Sequence, residues 1–240
     1  MRLRPIDKPF ATANDFYEPV GGGTPCLVKV YRGRSARARR DREAEALAIW
    51  RRQGFDAPEV FELPLGDLEA PYLAISRLEG SSLRQILAGS GLEAGLEALA
   101  NVLVRMRKRH DRALEIDEIR LVHPDSSTGN VMLTDSGVFF LDLEARPKFA
   151  DVREAAAVEI GKLSRWAVRD LGMQHCRAAL GELLKAYAGR RELLERVVQR
   201  VHGRRLQFLH RWRDRRKKAA QPGEVTKYDI ADALAEVLRG

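Results

Sequence analysis

One stretch of the sequence, HPDSSTGNVML followed shortly by VFFLDLE within residues 123–144, sets polar oxygen-bearing side chains around two short apolar runs. The runs NVML and VFFLDL, separated by TDSG, predict a β-hairpin. Asp125 precedes its first strand, Asn130 begins that strand, and Asp142 lies near the end of the second. The hairpin would therefore bring the side chains of Asn130 and Asp142 together from its two strands.

The rest of the chain divides into a β-rich N-terminal third and a larger helical part. The segments FYEPV, CLVKVY, PEVFELPL and PYLAISRL have the composition of strands, and GGGTP predicts a turn between the first two. Residues 36–53 predict a helix, and residues 76–80 predict a hinge. We therefore predict an α+β protein with an N-lobe over residues 1–79 and a C-lobe over residues 80–240.

Composition limits the classes of partner and location. The formal net charge of +8 favours an anionic partner such as a nucleotide, a nucleic acid or a membrane head group. Cys26 and Cys176 lie outside any metal-binding spacing and predict buried thiols in a reducing compartment. No segment has the apolar length of a secretory signal or a membrane span, so we expect a cytoplasmic protein.

The polar residues of the 123–144 stretch fit phosphoryl transfer from ATP. This reaction needs a carboxylate to orient the acceptor hydroxyl, oxygen ligands for the metal ions on the phosphates, and a cation on the phosphate tail. We predict that Asp125 is the catalytic base and that Asn130 and Asp142 bind Mg²⁺. Asp125 and Asn130 alone are more typical of a turn or a helix cap, whereas Asp142 lies between two leucines, where a carboxylate needs a partner or a metal ion. The prediction therefore depends on their joint occurrence.

Lys29 lies within the apolar strand CLVKVY, where a solitary cation is costly unless it pairs with a carboxylate. Glu43 shares a helical face with Trp50, which predicts that it points inward. We therefore expect Glu43, rather than Glu45, to be the partner of Lys29. The alternatives are a lysine that extends to water and a Glu43 that pairs with Arg39 on the solvated face of the helix.

The H-x-D-x-x-x-x-N spacing of HPDSSTGN, with a later strand that ends in Asp, resembles the protein-kinase-like fold. This resemblance covers about residues 10–170 and implies a bilobal architecture in which Lys29 holds the ATP phosphates and Glu43 positions it. DLE replaces D-F-G, and Ser127 stands two places after Asp125, where eukaryotic protein kinases carry Lys. In these features the chain looks like RIO-type atypical kinases and bacterial kinases of lipopolysaccharide core sugars (heptose or Kdo).

The resemblance implies ATP and Mg²⁺ as cofactors and a hydroxyl acceptor, either a protein Ser/Thr or a sugar such as the lipopolysaccharide core. The adenine would lie against backbone groups of Ser76, Arg77 and Leu78, and His123 and His110 would be structural. The glycine-rich G-x-G-x-x-G loop is absent, so we predict that FATANDFY covers the phosphates. Its small residues are Ala11, Thr12, Ala13 and Asn14.

Two other functions remain open for this sequence. The missing glycines and the DLE variant favour a non-catalytic nucleotide-binding scaffold, similar to a pseudokinase. The basic charge also fits a helical nucleic-acid-binding protein, which would bind with a steep salt dependence and without ATP.

The C-terminal third combines an apolar helical stripe with a basic face. The stripe begins at Leu194 and Val197, and we expect Leu206, Leu209 and Trp212 to resume it and pack inward. Residues 211–218 are mostly basic and predict contact with an anionic surface such as RNA, a phosphorylated glycolipid or the inner face of a membrane.

Overall fold

The computed structural model describes residues 2–6, 13–21, 25–66, 68–203, 211–212, 214, 216 and 223–239. The protein folds into a five-stranded antiparallel sheet with one helix, followed by a mainly helical region that contains a three-stranded antiparallel sheet. The predicted α+β architecture, with a β-rich N-terminal part and a helical C-terminal part, is confirmed. The boundary between residues 79 and 80 stays a prediction.

The strands, in chain order, are β1 Arg2–Pro5, β2 Asp15–Val20, β3 Cys26–Val30, β4 Val60–Phe61, β5 Tyr72–Ser76, β6 Ser81–Ser82, β7 Val131–Thr134 and β8 Gly137–Phe140. The helices of the described residues are α1 Ala36–Arg52, α2 Leu83–Gly89, α3 Leu92–Glu115, α4 Val152–Leu171, α5 Cys176–Ala186, α6 Arg191–His202 and α7 Lys227–Arg239.

The N-terminal sheet has the strand order β1-β2-β3-β5-β4, which places β3 at its centre. Side chains alternate between the two faces of a strand. Val28 and Val30 pack with Leu65 in a small apolar cluster on one face of the sheet. Lys29 therefore projects from the opposite face.

Helix α1 packs against both parts of the protein. Its buried face includes Glu43, Leu47 and Trp50, which lie one helical turn apart. Leu47 and Trp50 belong to a core cluster that also contains residues of α3 and α4. Trp50 satisfies its indole N–H by donating to the carbonyl oxygen of Arg120, 2.7 Å away. Packing on both sides therefore fixes α1 between the sheet and the helical region.

The helical region is joined to the sheet through β6. Ser81 of β6 pairs with Leu133 of β7, and β7 pairs with β8, so the segment that leaves the sheet is tied directly to the predicted hairpin. Gly80 lies so close to this hairpin that a Cβ atom would be 2.1 Å from the carbonyl oxygen of Leu133. Only glycine fits this approach without a shift of the backbone.

Some expected features differ in the structure. The segment PEVFELPL forms only the two-residue strand β4, and β1 was not predicted. The side chain of Trp212 is 57% exposed, so the expectation that it packs inward was wrong. Leu206, Leu209 and part of the basic segment 211–218 lie outside the described residues. No helix among the described residues is long and apolar enough to span a membrane.

Replacing Gly80 by Ala should lower the free energy of unfolding by about 1–3 kcal/mol, because the added methyl group overpacks the backbone at Leu133. The matched control is Gly89→Ala at the end of α2, where nothing lies within 4 Å of the position that a Cβ atom would take, and this change should be neutral or stabilising. Urea denaturation measures both values. Equal stability of the two variants would contradict the close approach.

Candidate active site

The side chain of Lys29 lies at the centre of an acidic cluster. Its Nζ is 2.7 Å from Glu43 Oε2, 2.7 Å from Asp142 Oδ1 and 3.2 Å from Glu144 Oε2. Tyr31 donates a second hydrogen bond of 2.6 Å to Glu43 Oε2. Lys29 and Glu43 are each only 3% exposed. The structure thus places Glu43, and not Glu45, beside Lys29.

The groups around Lys29 and Glu43 favour an ion pair between these two side chains. Burial alone would lower the pKa of Lys29, but the carboxylates of Glu43, Asp142 and Glu144 raise it above its ordinary value. Burial acts on Glu43 in the other direction and raises its pKa. Because Lys29 and Tyr31 both donate to the same oxygen of Glu43, the geometry fits the ionised carboxylate.

A sharp turn after β8 brings Asp142 and Glu144 to Lys29. Asp142 has a φ of 65°, in the left-handed region that costs an ordinary residue roughly 1–2 kcal/mol. Asp tolerates this region better than most residues. The preceding residue, Leu141, is held in place because its N–H donates to the carbonyl oxygen of Asn130 at 2.8 Å. The backbone of Asn130 therefore lies next to the residue before Asp142.

The site contains a residue that the sequence analysis missed, Glu144. Asn14 donates to Glu144 Oε2 at 2.8 Å, and Arg39 donates to Glu144 Oε1 at 2.7 Å. Arg39 thus binds Glu144 and not Glu43, the alternative that the sequence left open. The only signal was the third letter of DLE, which we interpreted as a departure from a motif.

The predicted phosphate-covering segment reaches this cluster through Asn14, which is buried while Ala13 is exposed. Ala11 and Thr12 lie outside the described residues. Since β1 and β2 are antiparallel neighbours, the segment connects the first two strands of the sheet. The contact of Asn14 with Glu144 then links this connection to the turn that follows β8.

Asp125 lies in a loop whose backbone is held by polar side chains. Its N–H donates to His123 Nδ1 at 3.1 Å, and its carbonyl oxygen accepts from Asn130 Nδ2 at 3.2 Å. His123 is fully buried and its Nε2 is 2.8 Å from the carbonyl oxygen of Leu141. Burial lowers the pKa of His123, which fits a neutral ring that accepts at Nδ1 and donates at Nε2.

A buried carboxylate on α4, Glu159, supports the same loop. Its Oε2 accepts from the backbone N–H of His123 at 2.7 Å and lies 3.0 Å from His110 Nε2, and Arg109 forms a buried ion pair with it. Burial alone would raise the pKa of Glu159, but Arg109 and His110 hold it below its usual range. The guanidinium of Arg109 also stacks on Trp50, at 4.1 Å from the ring centroid. The network thus connects the loop to α1.

The oxygen atoms of the site fit a magnesium ion. Glu43, Asp142 and Glu144 each offer a carboxylate oxygen, and these atoms lie within 4.8 Å of one another. Hard oxygen ligands are those that Mg²⁺ prefers. Asn130 uses its amide nitrogen to bind the carbonyl oxygen of Asp125, which leaves its amide oxygen for a metal ion. The ligands Asn130 and Asp142 stay a prediction, and Glu144 is a further candidate.

Comparisons with known proteins show similarity to phosphotransferases over part of the chain. A protein-family model described as APH, phosphotransferase enzyme family, matches residues 11–120, a little under half of the chain. The KEOPS complex subunit Bud32 of Pyrococcus abyssi (strain GE5 / Orsay) is 28% identical over 146 residues, which is 61% of this chain and 61% of the relative. The chain is kinase-like. Its α+β fold, with a β-rich N-terminal part and a helical C-terminal part, is consistent with these similarities.

The family match and the Asp125 loop do not overlap. The matched residues include Lys29 and Glu43, and they end three residues before His123. The site roles of Asp125, Asn130 and Asp142 therefore stay a prediction that the family match does not test.

Two backbone N–H groups of the predicted hinge are paired within the N-terminal sheet. The N–H of Ser76 donates to the carbonyl oxygen of Glu59 at 2.8 Å, and the N–H of Arg77 donates to that of Pro25 at 3.2 Å. These two donors are engaged because the backbone here continues the pairing of β5 with its neighbours, and contact of adenine with other backbone atoms of Ser76 and Arg77 stays a prediction. Backbone contact with adenine through Leu78 stays a prediction.

Replacing Glu159 by Gln should lower the free energy of unfolding by about 3–5 kcal/mol, because it leaves the fully buried Arg109 without its anionic partner. The matched control is Glu195→Gln on α6, where the partially exposed pair with Arg191 should contribute no more than about 0.5 kcal/mol. Denaturant titration of both variants gives these values. A loss below about 1 kcal/mol for Glu159→Gln would contradict the structural importance of the network.

Proposed function

We propose that the protein is an ATP- and Mg²⁺-dependent phosphotransferase that transfers the γ-phosphate to a hydroxyl group. The observation that carries this proposal is the ammonium of Lys29 between Glu43 and Asp142, within one fold that also contains the Asp125 loop. A buried cation beside a potential metal ligand suits a substrate that is both polyanionic and metal-bound.

The proposed roles follow from the contacts. Lys29 binds the phosphates, and Glu43 and Tyr31 hold its ammonium in place. Asn130 and Asp142 hold Mg²⁺, with Glu144 as a further candidate ligand. Mg²⁺, when bound, neutralises negative charge on the phosphates.

Asp125 acts on the acceptor. Its carboxylate orients the hydroxyl and takes the proton as the new oxygen–phosphorus bond forms. The bond between the γ-phosphorus and the bridging oxygen breaks at the same time, so that ADP leaves and the acceptor carries the phosphate. The Asp125 side chain is 62% exposed, which gives an acceptor access to it.

We propose the acceptor only by its chemical class. The candidates are the hydroxyl of a protein Ser/Thr and that of a sugar such as the lipopolysaccharide core. The name of the relative, a subunit of the KEOPS complex, describes that protein and leaves the acceptor of this chain open. Incubation with γ-labelled ATP and Mg²⁺ and a cell extract separated into protein, lipid and RNA fractions identifies the class that becomes labelled.

The second candidate function is a non-catalytic nucleotide-binding scaffold. It is favoured by Glu144, which stands in the DLE sequence and lies 3.2 Å from the ammonium of Lys29. The scaffold predicts binding of ATP without release of ADP or label transfer. The phosphotransferase predicts both, so the same incubation separates the two functions.

Asp125→Ala should lower kcat by about 10²–10⁴ and leave ATP affinity nearly unchanged, because the side chain acts on the acceptor and not on the nucleotide. Asp135→Ala, in the exposed turn between β7 and β8, is the matched control and should keep full activity. Steady-state kinetics of label transfer measure both. Undiminished transfer by Asp125→Ala would remove this residue from the chemistry.

Asp142→Asn should abolish the dependence of ATP binding on Mg²⁺, because the amide is a weaker metal ligand than the carboxylate. Calorimetric titration with ATP, in the presence and absence of Mg²⁺, measures the effect, with Asp135→Asn as the control that keeps the wild-type difference. Wild-type Mg²⁺ dependence in Asp142→Asn would exclude Asp142 as a ligand.

A further inference from the structure

One face of α4 runs along the whole catalytic loop. Glu159 accepts from the N–H of His123, Lys162 donates to the carbonyl oxygen of Pro124 at 2.7 Å, and Asp170 accepts from the hydroxyl of Thr128. Residues three and eleven places apart lie on the same side of an α-helix. The loop is therefore anchored to α4 at its start and at its end, and Lys162 contacts it between these anchors.

Lys162 is also the residue that contacts the Asp125 side chain. Its Nζ is 2.9 Å from Asp125 Oδ1. The backbone N–H and carbonyl oxygen of Asp125 are held by His123 and Asn130, as described above. Among the described residues, Oδ2 is then the one polar atom of Asp125 with no hydrogen-bond partner, and an acceptor hydroxyl can approach it.

We propose that Lys162 is the positioning residue of the transfer step, which fixes Asp125 Oδ1 and thereby presents Oδ2 to the acceptor hydroxyl. This inference rests on the proposed phosphotransferase function. A carboxylate on an exposed loop samples several rotamers, and a bond at one oxygen restricts the direction of the other. A base acts efficiently only when it is held in the geometry of the reaction.

A purely structural role does not account well for this contact. The side chains of Lys162 and Asp125 are 28% and 62% exposed, and exposed ion pairs add little to stability. The loop is already anchored by buried or partly buried bonds to Glu159 and Asp170. Loss of the Lys162 charge should therefore leave the loop attached to α4 while freeing the Asp125 carboxylate.

The ammonium also has capacity for a further contact. It carries three protons, and the bonds to Pro124 and Asp125 use two of them.

The position two places after Asp125 is Ser127, so the motif itself brings no cation next to the base. Lys162 supplies that cation from a helix 37 residues further along the chain.

The experiment compares Lys162→Met, which keeps the length of the side chain and removes its charge, with Lys162→Arg, which keeps the charge. Lys185→Met on α5 is the matched control, because Lys185 is an exposed lysine that pairs only with Glu182 among the described residues. ADP release, with or without an added acceptor fraction, gives kcat and the KM for ATP. Thermal unfolding and calorimetric ATP binding are measured on the same samples.

Lys162→Met should lower kcat about 10- to 100-fold, with the KM for ATP changed less than about threefold and the melting temperature within about 4 °C of wild type. Lys162→Arg should recover most of the activity, and Lys185→Met should match wild type. In an Asp125→Asn background, Lys162→Met should lower kcat by less than about threefold, because a positioning residue has no further effect once its target is lost.

Two results overturn the inference. Wild-type kcat in Lys162→Met, or a full additional loss in the Asp125→Asn background, would show that Lys162 does not act through Asp125. If Lys162→Met is unfolded, Lys162→Arg decides: a folded Arg variant whose kcat is as low as that of Asp125→Asn overturns the inference. A wild-type protein that binds ATP and never releases ADP instead overturns the proposed function itself.

Discussion

The site depends on a buried ammonium. An unpaired charge inside a protein costs several kcal/mol, so Lys29 on the inner face of β3 requires anionic partners nearby. Glu43 supplies one from α1, and the turn after β8 supplies Asp142 and Glu144. The position of α1 brings Glu43 to Lys29, and the turn that contains the left-handed backbone of Asp142 brings the other two carboxylates.

A second buried carboxylate organises the other half of the site. Glu159 holds the Asp125 loop through the backbone N–H of His123, and Arg109 compensates the charge of Glu159 while it stacks on Trp50 of α1. Trp50 lies two helical turns from Glu43 on the same face of that helix. One helix, α1, thus connects the Lys29 site to the Asp125 loop. This connection fixes the relative positions of the two groups of side chains.

Local sequence patterns were sufficient to predict the parts of the site whose residues lie close together in sequence. The hairpin and the helix over residues 36–53 follow from apolar periodicity and turn residues, and Glu43 follows from its shared face with Trp50. Glu144 and Lys162 could not be identified in this way, because their contacts with Arg39 and Asp125 span 105 and 37 residues. Such pairs carry no local periodicity.

Local sequence patterns carry no information on distant contacts, and this also explains the incorrect predictions for β1 and Trp212. β1 is Arg-rich and mostly exposed, so it lacks the apolar alternation that identifies a strand, and pairing with β2 defines it instead. Trp212 fits an apolar stripe by spacing alone, but spacing gives no information on whether another element covers that face.

The most direct test of the central claim is a crystal structure of the protein with Mg²⁺ and the non-hydrolysable ATP analogue AMP-PNP. The account predicts that Lys29 keeps its contact with Glu43, leaves Asp142 and binds the phosphates, while Asp142 binds the metal ion. A nucleotide bound elsewhere, with the 2.7 Å contact between Lys29 and Asp142 intact, would contradict it.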